Sequence, residues 1–405
     1  MKICRNDLQY AISMGLDYVE KEILGGTRHH GLRVAYLAAL TGQVLGVSQA
    51  EIADLVSVAI FHDNAFTQFW QEFKNSSFGD NIQTSKAFGK HCEFGEKNIS
   101  ILGFYPRVKG AILYHHENAD GSGLFKKKAD EVPLFAQLIH LADRIDVGYD
   151  LFDMDHSKID MARSKVSKEK GRAFAPHVAD AFLDGVKDAQ LEHIGKDEVV
   201  EALNALVPRT IVDFSLSELE AIGRMAAKIV DYKSHFTCTH SIGIAEKAKR
   251  MAEFYQWDEE KCTKMFLTGA LHDIGKLTIP NSILEKPDRL TPEEFQIMKG
   301  HALASWNILA GIEGMEDIQR WGALHHEKLD GSGYPFGLSA KDLGFEERLM
   351  AVIDIYQALT ESRPYRKGMS HQGAMRVITT MVENGLLDAG IAQDVDRVFS
   401  PQTPR

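Results

Sequence analysis

One polar pattern occurs twice along this chain at a fixed offset. His30, His62-Asp63, His91, His115-His116-Glu117 and Asp120-Gly121-Ser122-Gly123 lie in the first half. His240, His272-Asp273, His301, His325-His326-Glu327 and Asp330-Gly331-Ser332-Gly333 follow, each 210 positions later. Asp143 is matched by Asp354 at an offset of 211, so one residue has been inserted in the second copy. Equal spacing over five histidine positions constrains the fold more than any local propensity does. One structural unit is built twice, each copy with the same polar set.

The periodicity within each unit is helical. Residues 217–232 place Leu219, Ile222, Met225, Ala226, Ile229 and Val230 on one stripe, and Ser217 with Glu220 reads as a capping box. Residues 240–256, 261–271, 345–360 and 371–383 continue with helical spacing, and Thr291-Pro292 starts another helix. No period-two strand is evident. The expected fold is all-α, two tandem helical bundles. The predicted domains are residues 1–205 and 206–405, with the junction in 204–215 around Pro208. Residues 325–335, HHEKLDGSGYP, read as a helix end passing into a tight, shaped loop, because glycine tolerates positive φ and proline fixes its own.

At 405 residues, 44% hydrophobic and 25% charged, the chain is globular and long enough for two cores. A net charge of −11 excludes a large nucleic-acid surface or an anionic membrane patch. Cys4, Cys92, Cys238 and Cys262 are scattered, without a CxxC, and read as reduced thiols. No signal peptide or membrane-length apolar run is seen, so the expectation is a cytoplasmic protein.

Five histidines and two aspartates in the second unit suit a two-metal site. The set is His240, His272, Asp273, His301, His325, His326 and Asp354. Imidazole and carboxylate favour iron, manganese, zinc or nickel, and this set offers no cysteine. Two ions roughly 3.5–4 Å apart generate a bridging hydroxide and clamp an in-line phosphoryl displacement. Lys276 lies four residues after His272, one helical turn along. Arg363 and Arg366 follow Asp354. These cations are placed to hold a phosphodiester beside the metals.

The segments HDIGK (272–276), KGH (299–301), HHEKLDGSGYP (325–335) and 353–367, IDIYQALTESRPYRK, closely resemble the HD-GYP domain over residues 215–400. The resemblance implies an HD-superfamily fold and an iron- or manganese-dependent phosphodiesterase that linearises 3′,3′-cyclic dinucleotides. It implies that the seven residues above are metal ligands, with Asp273 and Lys276 catalytic. It implies that Lys276, Arg363, Arg366 and Tyr334 contact substrate. Some family members carry a glutamate four residues before the first ligand histidine, for a third metal. Phe236 stands there, so two ions are expected, iron or manganese before nickel or zinc. The family's second aspartate after Asp354 is Gln357.

The first unit keeps His30, His62, Asp63, His91, His115, His116 and Asp143, a possible second metal set. It loses the substrate groups: Phe66 replaces Lys276, Leu124-Phe125 replace Tyr334-Pro335, and Phe152 and Asp155 fall near the arginine positions. It reads as a degenerate, regulatory or structural HD unit. The tandem arrangement resembles phosphodiesterases of 3′,3′-cyclic GMP-AMP, which is placed narrowly ahead of c-di-GMP as substrate. A homodimer or a protein signalling partner is compatible with such an architecture. The rival readings are an HD-type nucleotide or alarmone phosphohydrolase, and a non-catalytic cyclic-dinucleotide sensor.

Overall fold

The computed structural model describes residues 1–405 apart from 25–26, 74–85, 104, 154, 196–197, 235–239, 363–366 and 401–405. Phe236, Arg363 and Arg366, singled out above, therefore lie outside the described residues. The structure is 68% helical, with one two-stranded sheet among the described residues, so the all-α expectation holds.

The chain divides into two compact units, Arg5–Thr210 and Met1–Cys4 with Ile211–Arg405. The division differs from a cut at residue 205 because of a short sheet that the sequence reading missed. β1 (Lys2–Cys4) pairs antiparallel with β2 (Ile211–Asp213), with Lys2 opposite Asp213 and Cys4 opposite Ile211. Three-residue strands are too short for alternation to show in a sequence. The Cys4 amide donates to the Glu313 carbonyl at 3.0 Å, and Ile3 and Cys4 are fully buried. These contacts hold the first residues in the carboxyl-terminal unit.

In that unit β2 leads into helix Leu216–Asp231. Its cap is Ser215, with Glu218 closing the capping box, and not Ser217 with Glu220. Both pairs satisfy the S-x-x-E pattern. Ser215 is the one with extended backbone, which lets its hydroxyl accept from the Glu218 amide. Helices His240–Phe254, Glu259–Leu271, Pro292–Leu309 and Phe345–Thr360 follow, and Thr291 caps the third of these with Glu294. Ile244, Ala248 and Met251 from the first meet Leu349, Val352 and Ile353 from the last, with Ile378 and Ile391 completing the core.

The amino-terminal unit repeats this order. Helix Arg5–Leu24 is followed by His30–Val44, Gln49–Ile60, Gly89–Ile99 and Leu134–Tyr149. The extra residue of the second copy falls in one loop. A backbone bridge joins Asp120 to Lys128 in the first unit and Asp330 to Ser339 in the second, one residue farther apart. Among the described residues no helix is long and apolar enough to cross a membrane.

Two glycines bring the polar residues of the carboxyl-terminal unit together. A Cβ on Gly269 would lie 2.6 Å from the Ala245 Cα, so helices Glu259–Leu271 and His240–Phe254 cross at backbone contact. A Cβ on Gly275 would lie 2.0 Å from the His301 carbonyl oxygen. The Gly275 amide also donates to Ser305 Oγ at 2.9 Å. The turn after Asp273 is thereby pressed against the helix that carries His301. Gly275→Ala is expected to cost roughly 3 kcal/mol through overpacking against rigid backbone. A thermal melt showing an unchanged midpoint would contradict this close packing.

Candidate metal centre

The residues of the carboxyl-terminal cluster come from element ends and helix faces. His240 opens one helix, and His272 caps the end of Glu259–Leu271. His301 lies within Pro292–Leu309 and Asp354 within Phe345–Thr360. His325 and His326 occupy the turn after Glu316–Ala323. All are buried except His326, whose side chain keeps 26% of its exposure.

Three of these imidazoles share one orientation device. Nδ1 of His272, His301 and His325 hydrogen-bonds the carbonyl three residues earlier, at 2.7, 2.7 and 2.6 Å. A carbonyl only accepts, so Nδ1 carries the proton and Nε2 presents a lone pair. Those Nε2 atoms, with Asp273 Oδ1, are buried and have no hydrogen-bond partner. Orphaned buried acceptors cost about 1–3 kcal/mol each. Their convergence makes a set that fits a cation.

Asp273 links two groups of donors. Its Oδ2 lies 3.0 Å from His272 Nε2 and 3.7 Å from His240 Nε2, while Oδ1 lies 3.3 Å from His301 Nε2 and 3.8 Å from His325 Nε2. Asp354 spans the same divide, with Oδ1 3.4 Å from His240 and Oδ2 3.9 Å from His326. His240-His272-Asp273 and His301-His325-His326 are thus two candidate cation sites side by side. Burial lowers the His326 imidazole to about 3 and also lowers His301 and His325, so all three are neutral donors. Burial would raise Asp273, but His272 and Lys276 hold it well below the usual carboxylate range.

Lys276 is not one α-helical turn beyond His272. The helix ends at Leu271, a tighter 3₁₀ turn covers Ile274–Thr278, and the Lys276 ammonium pairs with Asp273 Oδ2. The cation is still beside the cluster, on its partly exposed side. Tyr334 lies there too, its ring centroid 4.7 Å from that of His326. Its loop is held by Glu327, a buried carboxylate that the sequence reading gave no role. Glu327 accepts from the amides of Phe336, Gly337 and Leu338 at 2.7, 3.1 and 2.9 Å. Gly333 is required here, since a Cβ would fall 2.5 Å from the Glu327 Cα.

In the amino-terminal unit His30, His62, Asp63, His91, His115, His116 and Asp143 converge in the same way. Asp63 Oδ1 lies 3.4 Å from His91 Nε2 and 3.6 Å from His115 Nε2, and Oδ2 lies 3.6 Å from His62 Nε2. Asp143 Oδ1 lies 3.5 Å from His30. Phe66, at the position of Lys276, packs with Phe69 and Phe88 into an aromatic cluster. The Phe88 ring lies 4.3 Å from His91 and 5.2 Å from His116. Phe152 lies under the Arg33 guanidinium, and Asp155 caps helix His156–Glu169. The positions that would bind phosphate serve packing and capping in this unit.

Gln357 is explained by comparing the two units. Its counterpart Asp146 accepts from His30 Nδ1 at 2.6 Å and pairs with Arg33. In the carboxyl-terminal unit Glu361, one turn later, lies 2.9 Å from His240 Nδ1 instead. Gln357 is left packing against Gly243, where an added Cβ would fall 2.5 Å from its amide nitrogen. Burial lowers the His240 imidazole, but the hydrogen bonds with Asp354 and Glu361 outweigh it and raise His240 to about 9. Glu361, Asp146, Cys92 and the buried Glu20, 4.0 Å from His30, escaped the sequence reading. A lone acid or thiol outside a repeated pattern carries no spacing signal.

Two helical bundles, each closing around a His-Asp pair, define an HD-type metal-binding fold. Residues 219–391 and 27–148 each match the HD domain family. The chain is 31% identical over 401 residues to the 3′3′-cGAMP-specific phosphodiesterase 1 of Vibrio cholerae, covering 94% of this chain and 89% of that one. It is 35% identical over 173 residues to a cyclic di-GMP phosphodiesterase of Thermotoga maritima, covering 42% of this chain and 45% of that one. The crystal structure of a cyclic GMP-AMP specific phosphodiesterase of V. cholerae aligns at a TM-score of 0.68 with 21% identity, covering 100% of this chain and 99% of that one, and shares its fold. The chain belongs to the HD domain family. Within it, the chain is a member of the HD-GYP cyclic dinucleotide phosphodiesterases.

Groups that orient a ligand imidazole typically contribute ten- to hundredfold to metal affinity. Glu361→Ala is therefore expected to weaken metal binding in the carboxyl-terminal unit by about that factor, with the fold retained. Chelator competition on the reconstituted protein measures it, and an unchanged affinity would remove Glu361 from this role.

Proposed function

We propose that the carboxyl-terminal unit hydrolyses a phosphodiester of a 3′,3′-cyclic dinucleotide and linearises it, with 3′,3′-cyclic GMP-AMP favoured over c-di-GMP. The observation that carries this reading is the pair of donor groups joined by Asp273, with orphaned lone pairs on His272, His301 and His325. His240, His272, Asp273, His301, His325, His326 and Asp354 would hold two divalent transition-metal ions. Imidazole and carboxylate without thiolate suit iron or manganese. Such ions, when bound, supply Lewis acidity to a phosphoryl oxygen and acidify a water for attack.

The protein's own residues set the rest. Asp273 offers one oxygen to each donor group and keeps the two together. Lys276 places its ammonium at the partly exposed side, where it would oppose charge developing on the phosphate. Tyr334 forms a wall beside His326, the most exposed of the cluster's histidines. Arg363 and Arg366, outside the described residues, are assigned to phosphate contact on the sequence pattern alone. The amino-terminal unit would not hydrolyse substrate, since Phe66, Phe69 and Phe88 cover its cluster and no lysine replaces Lys276.

Base preference rests on the relatives. The V. cholerae 3′3′-cGAMP-specific phosphodiesterase 1 matches along 94% of the chain, whereas the T. maritima cyclic di-GMP phosphodiesterase matches along 42%. That difference supports the cyclic GMP-AMP reading.

His272→Ala/Asp273→Ala is expected to abolish turnover in a folded protein, while His62→Ala/Asp63→Ala leaves the chemistry largely intact. Product analysis of the metal-loaded protein with cyclic GMP-AMP, c-di-GMP and the linear pNpN dinucleotides decides both points. Equal kcat/KM for the two cyclic dinucleotides would remove the base preference. Wild-type rates in the first double variant would remove the site.

A further inference from the structure

The amino-terminal cluster is not a weakened copy of the carboxyl-terminal one, because it contains a donor that its counterpart lacks. Cys92 stands where the other unit has Ala302. Cys92 Sγ and one donor nitrogen each from His91, His115 and His116 all lie within 4.8 Å of one another. Sγ is 3.4 Å from His91 Nε2. With bonds of about 2.3 Å to sulfur and about 2.0 Å to nitrogen, a tetrahedral edge is about 3.5 Å. Cys92 is fully buried, and no hydrogen-bond partner meets the buried Nε2 atoms of His115 and His116 or Asp63 Oδ1.

The geometry points to a closed, thiolate-bearing metal centre in the amino-terminal unit, formed by His91, Cys92, His115 and His116 and suited to a zinc-type ion. Catalytic zinc-type sites keep one position for water or substrate, whereas structural sites fill four positions with protein atoms. The carboxyl-terminal subsite has three imidazoles, His301, His325 and His326. The amino-terminal subsite has those three equivalents and a thiolate as the fourth. Thiolate also shifts metal preference toward softer ions than an imidazole and carboxylate set selects. Phe88 and Phe66 pack against the His91 ring and exclude water from that side. This inference does not rest on the phosphodiesterase reading.

The test uses full-length protein carrying His272→Ala/Asp273→Ala with His301→Ala/His325→Ala, so that both donor groups of the carboxyl-terminal unit are broken and bound metal reports the amino-terminal unit. The apoprotein is reconstituted with Co²⁺ without oxygen and followed in the near ultraviolet, where thiolate-to-cobalt charge transfer absorbs. Bound cobalt with that band is expected, and Cys92→Ala should abolish the band while far-ultraviolet circular dichroism stays unchanged. Cys92→Ala reproduces the residue found at the matching position of the other unit, and Cys92→Ser provides a second folded variant. No cobalt binding, cobalt binding without the band, or a band that survives both Cys92 variants would each overturn the proposal.

Discussion

The carboxyl-terminal unit depends on three hydrogen bonds within single turns, from Nδ1 of His272, His301 and His325 to the carbonyl three residues earlier. Each bond leaves one nitrogen with a lone pair aimed away from its own backbone. Helix crossing then brings those nitrogens to one point around Asp273. Unsatisfied, such a cluster would oppose folding, because buried polar atoms without partners are costly. The unit therefore makes energetic sense as a cation-binding scaffold, in which metal binding adds to the folding free energy supplied by the apolar core.

Duplication explains why the two clusters agree in donors and differ in surroundings. Helix order, the His-Asp pair and the glutamate that anchors the following loop are common to both. Glu117 accepts from the Phe125 amide at 2.6 Å and also bonds that of Lys127, as Glu327 does for its own loop. What diverged is the approach to the cluster. Phe66 stands where the other unit has Lys276, Cys92 where it has Ala302, and an aromatic cluster covers the side where Tyr334 and Lys276 stand in the other unit. The orienting carboxylate moved too, from Asp146 in one unit to Glu361 in the other, and still meets the first histidine. A carboxylate one turn away can reach the same imidazole, so function constrains the contact and not the position.

Much of this was legible in the sequence. The offset of 210, with 211 for the last aspartate pair, placed all fourteen polar residues in two groups, and the structure brings each group together. Spacing worked because histidines at matching helix positions must converge whenever the helices do. The strands β1 and β2 were invisible because three residues show no period. Ser215 was passed over for Ser217 because two overlapping capping patterns compete, and only backbone geometry separates them. Glu361, Glu327 and Cys92 were missed for a different reason. Glu361 acts on a histidine 121 residues away, Glu327 on bare loop amides, and Cys92 adds its thiol outside the repeated pattern, so no motif distinguishes them from a surface acid or a core thiol.

The β1–β2 pairing has a consequence for how the chain matures. The strand at residues 2–4 is synthesised long before its partner at 211–213, so through that interval it has no edge to join. The whole amino-terminal unit is, in connectivity, a loop inserted between two paired strands. Its folding must leave the preceding residues free for capture. A fragment cut at the junction would leave β2 without its neighbour and the Glu313 carbonyl without the Cys4 amide. The carboxyl-terminal unit is thus divided along the chain, with Met1–Cys4 made first and Ile211–Arg405 last, while the amino-terminal unit is one continuous length.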